Sequence, residues 1–224
     1  MNRVEIKSRA KEMIRGNKWY ILKPALIIAL VTASLLILAF MVDKSLGLTS
    51  EEIIELFDQP FVYEKGGIIS SIVGVIVSLY FTAFTIGYAK YILSFVRGTK
   101  LPTSEIFKFA NQNILKAFLV NLVVSLIITG GFILLIIPGI IASIGFIFYQ
   151  EVCADAIQMP TMDIVHRAWN ITKGHKMFIF LFILSFIGWM VLAACTLGLL
   201  YIWLFPYMTV SFTLVYEELR KQAN

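Results

Sequence analysis

Two acidic residues, Glu151 and Asp155, are the leading candidates for chemistry because they lie within a long apolar segment. Their spacing of four residues places both on one face of a helix. A carboxylate at membrane depth is costly and is by default a functional candidate. For Glu151 two interpretations stay open. It is either protonated or paired with a cation such as Lys90 or Arg167, or it is an interfacial acid that reaches headgroups or backbone donors. For Asp155 we prefer the interfacial interpretation.

Small and polar residues recur at every fourth position in two other apolar segments. The first set is Ser70, Gly74, Ser78 and Thr82, and the second is Asn121, Ser125 and Thr129. Each set lies on one helix face, where small and hydroxyl side chains let membrane helices approach closely. We predict that the first set packs against another helix. The second set, together with the two acids, is a candidate intramembrane polar site. A water-filled path is the alternative interpretation of both stripes.

The sequence has no phosphate-binding glycine loop, no His/Cys metal spacing and no nucleophile elbow. Its two histidines, His166 and His175, are nine residues apart, which argues against a shared metal site. The two cysteines, Cys153 and Cys195, are too few for a disulfide framework. We therefore expect no metal, no cofactor and no enzymatic activity. A membrane enzyme would have to use the two acids or interfacial residues alone.

Membrane-spanning helices must position these residues. The chain of 224 residues is 59% hydrophobic and only 15% charged, whereas a soluble domain is roughly a quarter charged. Six segments approach the ~20 apolar residues that a bilayer core requires. They are Pro24–Met41, Ile68–Phe95, Ile114–Ile137, Gly139–Ile157, Met177–Cys195 and Leu197–Tyr216. We predict an all-α polytopic membrane protein that forms a single integral membrane domain over residues 1–224. Pro138-Gly139 and Thr196-Leu197-Gly198 are the predicted short turns between neighbouring spans.

The basic residues predict the orientation of these spans. All lysines and arginines except Lys44 and Lys65 flank the spans on one side, and this side is cytoplasmic by the positive-inside rule. Both termini are therefore predicted to be cytoplasmic. The net charge of +5 does not indicate nucleic-acid binding, because the basic residues flank apolar segments and form no independent patch.

The predicted outer loop, residues 42–67, is acidic. Two interpretations of this loop are open: it attracts cations or a cationic peptide, or it is simply a solvated loop. We prefer the second interpretation. Thr49 and Glu52 fit a capping box that opens a short helix with an apolar side formed by Ile53, Ile54 and Phe57.

The cytoplasmic segments resemble one another. Leu101–Ala110 aligns with Met159–Ala168, and Val4–Lys18 aligns with Met162–Lys176. We infer a threefold repeat with units at roughly 1–95, 96–157 and 158–224, each a short amphipathic helix followed by a helical hairpin; chance similarity is the alternative. Ile6, Ala10 and Met13 share a helical face, as do Ile164, Ala168 and Ile171, and Gly16 and Gly174 lie where a helix should end. The predicted cytoplasmic lipid-facing cations are Arg9, Lys90, Arg167 and Lys176.

Several motifs in order along the chain resemble a known family. They are Gly87-Tyr-Ala-Lys90 with Arg97-Gly98, Leu135-Ile-Ile-Pro-Gly-Ile-Ile141, Thr172-Lys-Gly-His-Lys176, Leu184-Ser-Phe-Ile-Gly-Trp189, Thr196-Leu-Gly198 and Pro206-Tyr207. Over nearly the whole chain they resemble the bacterial integral membrane family catalogued as domain of unknown function 975. The resemblance implies a bacterial plasma-membrane protein without an established activity, and it supplies no catalytic residues. The chain departs from the family pattern at Glu151 and Asp155, which leaves any role of these acids particular to this chain.

The leading functional hypothesis is a non-enzymatic integral membrane protein that binds membrane lipids or another membrane protein, as an accessory subunit, a scaffold or a resistance factor. The alternative is a small transporter or channel that uses a polar stripe and the intramembrane carboxylate of Glu151. An interfacial lipid-modifying enzyme is the third hypothesis.

Overall fold

The computed structural model describes residues 2–56, 59–65, 67–196 and 198–223. Within these ranges the regular secondary structure is helical except for one hairpin of two strands. The elements are α1 (Arg3–Ile14), α2 (Lys18–Ser45), β1 (Ser50–Leu56), β2 (Gln59–Lys65), α3 (Ile68–Val96), α4 (Ser104–Leu134), α5 (Ile136–Gly145), α6 (Tyr149–Asp155), α7 (Thr161–Thr172), α8 (Lys176–Cys195) and α9 (Tyr201–Ala223).

Five helical segments in the described part of the chain are long and apolar enough to cross a membrane. They are Lys18–Ser45, Ile68–Val96, Ser104–Leu134, Ile136–Asp155 and Lys176–Cys195. Their length and composition confirm the prediction of a helical membrane protein, because lipid leaves no water to satisfy a non-helical backbone.

The sixth predicted span, Leu197–Tyr216, is not among these five segments. Leu197 lies outside the described residues, and most of the remaining segment belongs to α9. The last two turns of α9 are charged, with Glu217, Glu218, Arg220 and Lys221 in sequence order. Much of the rest of α9 is buried by the protein itself, including Val210 and Val215, which are both fully buried. Helix α9 is therefore a core helix of the fold.

The break between the third and fourth predicted spans lies three residues before Pro138. Leu135 has extended backbone angles, with φ −165° and ψ 158°, and it separates α4 from α5. Pro138 then lies in the first turn of α5, where a missing N–H group costs no intrahelical hydrogen bond. A Cβ on Gly131 would lie 3.1 Å from the Cα of Gly139, so the absence of side chains lets the two helices of this hairpin approach closely.

The predicted short helix that opens at Thr49 is wrong. Strands β1 and β2 pair antiparallel there, with Ser50 opposite Lys65 and Leu56 opposite Gln59. Phe57 and Asp58, which the prediction included, lie outside the described residues. Two runs rich in β-branched and aromatic residues, 53–54 and 61–63, favour strands over a helix.

The chain forms two compact units. The first comprises Met1–Pro24 and Thr82–Asn224, and the second comprises Ala25–Phe81. In the first unit, α1 packs along α9 and buries Ile6, Ala10 and Ile14. Met13, which we predicted to share this face, is half-buried, because Ile14 takes its place in the contact.

In the second unit, a buried acid holds the start of α3. Asp43 is fully buried, and its carboxylate accepts the backbone N–H groups of Ile69 at 3.1 Å and Ser70 at 2.6 Å. Unpaired N–H groups at a helix N-terminus favour a negative charge, so Asp43 caps α3 from the end of α2. A Cβ on Gly67 would lie 2.6 Å from the carbonyl oxygen of Leu48, so this close approach requires glycine. One acid of the predicted outer loop thus has a structural role.

Candidate functional site

Four charged side chains meet where α3, α6 and α9 end, and we call them the ion cluster: Arg97, Asp155, Glu217 and Arg220. The Arg97 guanidinium donates to both carboxylate oxygens of Asp155, at 2.8 and 2.7 Å. It also donates twice to Oε1 of Glu217, at 2.9 and 2.6 Å. Arg220 lies 3.6 Å from Asp155 and 3.7 Å from Glu217. Arg97 therefore joins the ends of three helices that are distant in sequence.

The acids of the ion cluster are the more buried members. The side chains of Asp155 and Glu217 are 16% and 13% exposed, while that of Arg97 is 35% exposed. Tyr216 adds a hydrogen bond from its hydroxyl to Asp155 at 2.9 Å. The hydrogen bonds from Arg97 to Asp155, together with those to Glu217, outweigh burial and raise the pKa of Arg97 above its ordinary value. Two cations balance two carboxylates, and bidentate Arg–carboxylate pairs are among the stronger polar contacts in proteins.

Sequence reasoning identified one member of this cluster. We predicted Asp155 as an interfacial acid and missed Arg97, Glu217 and Arg220 as its neighbours. One signal was available: the register that aligns Leu101 with Met159 also aligns Arg97 with Asp155, since both pairs are 58 residues apart. Opposite charges at aligned positions of a repeat are a reason to test whether those positions meet.

Glu151 lies on α6, one turn before Asp155, but outside the ion cluster. Glu151 is half-buried, and it has no ion-pair partner among the described residues. Neither predicted cation reaches it: the Lys90 ammonium lies over the ring of Phe109 at 4.6 Å, and Arg167 has its closest polar contact with the Met159 sulfur at 4.0 Å. Glu151 is therefore available for interactions beyond those within the chain.

Only Asn121 of its predicted stripe makes a polar contact with another helix. Its side-chain oxygen accepts the Tyr149 hydroxyl at 2.9 Å, and Gln150 donates to the same hydroxyl at 3.2 Å. Ser125 is exposed and donates to the carbonyl of Leu122 in its own helix, at 2.9 Å. Thr129 is also exposed. Among the described residues, the stripe thus contacts α6 through Asn121, which meets Tyr149 at the start of that helix.

The first stripe has no close helix contact at its glycine. A Cβ on Gly74 would meet no described atom within 4 Å. Ser70 and Ser78 donate to carbonyls of their own backbone, Gly67 at 3.1 Å and Val75 at 2.8 Å. Thr82 is half-buried. Close helix packing by this stripe stays a prediction.

The four predicted lipid-facing cations lie at or near the surface of the first unit. Arg9 has a side chain 54% exposed and approaches Glu218 at 3.9 Å. Lys90 is exposed, and Arg167 and Lys176 are half-exposed. The Lys176 ammonium lies over the Trp169 ring at 3.3 Å, a cation–π contact that orients its side chain. Contact with lipid stays a prediction for all four.

Among the described residues, no three His, Cys, Asp or Glu side chains are grouped as a metal site would require.

Comparison with known proteins gives a partial match to one family model. No match is found among curated proteins, and none among solved structures. Residues 126–223 match the model of the family described as Protein of unknown function (DUF975). The motifs from Leu135 onward lie inside the matched range, and those between Gly87 and Gly98 precede it. The match confirms, over residues 126–223, the resemblance to this family of unknown function that the sequence motifs indicated.

Proposed function

We propose that the chain is a non-enzymatic integral membrane protein that binds lipids or a membrane-protein partner, as an accessory subunit, a scaffold or a resistance factor. One observation carries the proposal. In the first compact unit, Asp155 and Glu217 are engaged by arginines of the same chain, whereas Arg167 and Lys173, half-exposed and exposed, have no ion pair among the described residues. Such a surface is suited to anionic groups, and anionic lipids attract each nearby cation.

The ion cluster supports a structural role over a catalytic one. Asp155 receives two hydrogen bonds from Arg97 and one from Tyr216. A carboxylate that accepts this many charged and polar donors is stabilised as the anion and is a weak base. The ion cluster then holds three helix ends together, and we assign binding of lipids or a partner to the outer surface of the protein.

The proposal is tested by transfer of the protein directly from its membrane into lipid nanodiscs, followed by mass spectrometry of everything retained. A stoichiometric lipid or protein partner is the expected result. The control is the same preparation from cells that lack the tagged chain. Retention of neither a lipid nor a protein above this control would contradict the proposal.

A small transporter or channel is the second candidate function. The observation in its favour is Glu151, a half-buried acid with no ion-pair partner among the described residues. If Glu151 binds a cation or proton during transport, Glu151→Gln abolishes ion-coupled flux in proteoliposomes, while Glu105→Gln at an exposed site leaves it unchanged. Equal flux in both variants would exclude this role.

We also propose six spans in the bacterial plasma membrane, with α9 as the sixth and both termini in the cytoplasm. The five long apolar helices and the basic residues on one side of them support this topology. In a Cys195→Ser background, Lys44→Cys should react with a membrane-impermeant maleimide in intact cells and Lys100→Cys only after lysis. Labelling of both in intact cells would contradict the topology.

The threefold repeat is part of this proposal, and matching burial supports it. Aligned residues of the three amphipathic segments are all buried: Ile6 with Ile106 and Ile164, and Ala10 with Ala110 and Ala168. Gly16 and Gly174 both have positive φ, at 83° and 82°, after their short helices. Replacement of each aligned alanine by leucine should lower the thermal midpoint comparably, because each side chain has no space to expand. Ala29→Leu, at an exposed site, is the control.

A further inference from the structure

A cationic cleft lies between α7 and the end of α9. Four polar residues along one face of α7, with Lys173 directly after the helix, line it: Asp163, His166, Arg167, Asn170 and Lys173. Arg220 of α9 lines the same cleft, whose volume is about 650 Å³. The opposite face of α7, with Ile164 and Ala168, is buried in the protein and holds the polar face in place.

Two cations of this cleft, Arg167 and Lys173, have no ion pair among the described residues, and the third, Arg220, belongs also to the ion cluster. In the described part of the chain, Arg167 has the Met159 sulfur at 4.0 Å as its polar neighbour, and Lys173 has no ion pair. Arg220 is 3.6 Å and 3.7 Å from its two acids, beyond hydrogen-bond distance, and its Nε has no hydrogen-bond partner. Two cations without an ion pair, Arg167 and Lys173, therefore face one acid, Asp163, beside Arg220, whose charge the ion cluster shares.

We propose that this cleft binds the phosphate-bearing headgroup of an anionic phospholipid, and this assignment rests on the proposed lipid-binding function. Planar guanidinium groups match phosphate oxygens in a bidentate geometry, and a lysine adds a point charge. Met159 and Met162, at the amino end of α7, are 37% and 52% exposed, and they provide an apolar surface for acyl chains next to the charged cleft. A free phosphate would not use that apolar surface, whereas a membrane lipid would.

The experiment compares lipid retention by native mass spectrometry of the purified full chain. The protein is incubated with equal amounts of phosphatidylglycerol and phosphatidylcholine. The test variant is Arg167→Gln/Lys173→Gln, which removes two cleft cations and keeps the ion cluster. The matched control is Lys108→Gln/Lys221→Gln, which removes two exposed cations that pair with acids outside the cleft. Thermal midpoints confirm that all variants are folded.

The wild type and the control should retain phosphatidylglycerol in preference to phosphatidylcholine. The test variant should bind phosphatidylglycerol roughly 30-fold more weakly, since each surface cation strengthens contact with an anionic lipid about fivefold. A charge-preserving variant, Arg167→Lys/Lys173→Arg, should keep most of the binding. Equal retention by the test variant and the control would overturn the assignment of the cleft.

Three further outcomes distinguish a lipid headgroup from free phosphate, and failure of the cleft assignment from failure of the proposed function. Inorganic phosphate that displaces all bound phosphatidylglycerol would assign the cleft to a free phosphate and overturn the lipid assignment. Lipid retained equally by the wild type and the cleft variant leaves the proposed function standing and refutes only the cleft. Absence of both lipid and partner in nanodiscs would refute the proposed function itself.

Discussion

Replacement of Arg97 tests whether the ion cluster holds the ends of α3, α6 and α9 together. Arg97→Gln removes all four hydrogen bonds from this guanidinium to Asp155 and Glu217. It leaves two carboxylates with side chains only 16% and 13% exposed. Arg220 is then the remaining cation of the cluster, at 3.6 Å or more from each acid. The variant therefore creates two poorly compensated acids.

The expected loss follows from the burial of the pair. Removal of one partner from a fully buried ion pair costs about 3–5 kcal/mol. Arg97 is 35% exposed and Arg220 remains nearby, so solvent and the second arginine reduce the loss to about 2 kcal/mol. For a chain of this length, that corresponds to a fall of roughly 4–8 °C in the thermal midpoint. Arg97→Lys keeps the charge but not the bidentate geometry, and it should lose about half as much.

The assay is thermal unfolding of the purified protein in nanodiscs, followed by tryptophan fluorescence. Lys108→Gln, which breaks an exposed pair with Glu105, is the control and should leave the midpoint within about 1–2 °C. Pairing raises the pKa of Arg97, so its stabilisation is complete below the ordinary arginine pKa and is lost only as pH rises through the higher folded value. The difference between wild type and Arg97→Gln should thus be the same at pH 7 and pH 10. An Arg97→Gln midpoint equal to that of the control would refute the assignment.

Three further predictions, at Gly87, Asp43 and Lys7, test other contacts by the same thermal assay. Gly87→Ala places a Cβ 2.8 Å from the Ile106 carbonyl and should cost about 1–3 kcal/mol, whereas Gly74→Ala, in the same helix with open space, should add about 0.5–1 kcal/mol; equal effects would contradict the packing. Asp43→Ala should lower the midpoint more than Asp43→Asn, which keeps an acceptor for the start of α3; the reverse order would exclude capping. Burial and two neighbouring cations lower the pKa of Lys7 below 10.5. The unfolded chain therefore binds more protons just below that pH, and this contribution to stability rises with pH there. Lys7→Met should remove the rise between pH 8 and 10, and an unchanged slope would refute it.

Hydropathy was sufficient to predict the helical membrane class, because apolar length alone decides which segments can cross a bilayer. For α9, hydropathy does not distinguish burial in protein from burial in lipid. That helix is buried by the protein, with Val210 and Val215 fully buried, and apolar residues in a protein core resemble those in lipid. The hairpin β1–β2 was missed because Thr49 and Glu52 fit a helix cap. The strand preference of the residues that follow outweighed this capping signal.

A member of the candidate site was predictable where a single residue type in its segment is informative. Contacts between residues distant in sequence were not predictable. Asp155 was identified because an acid within an apolar segment is unusual. Its partner Arg97 is 58 positions away, and no local pattern connects the two. Helical periodicity placed Asn121, Ser125 and Thr129 on one face, yet only Asn121 has a neighbouring helix that offers a polar group. Periodicity defines a face, and only the packing of neighbouring helices decides what that face meets.

In the register that aligns Leu101 with Met159, the ion cluster brings together aligned positions of opposite charge. Arg97 and Asp155 are aligned in that register, at the ends of α3 and α6, and Glu217 lies near the end of α9. Identical charges at positions that come within 3 Å would repel one another strongly in a partly buried site. Units that assemble around such a point are stable only if their charges diverge. In the proposed repeat, the units therefore differ in charge at this junction, whereas Ala10, Ala110 and Ala168 are identical and fully buried.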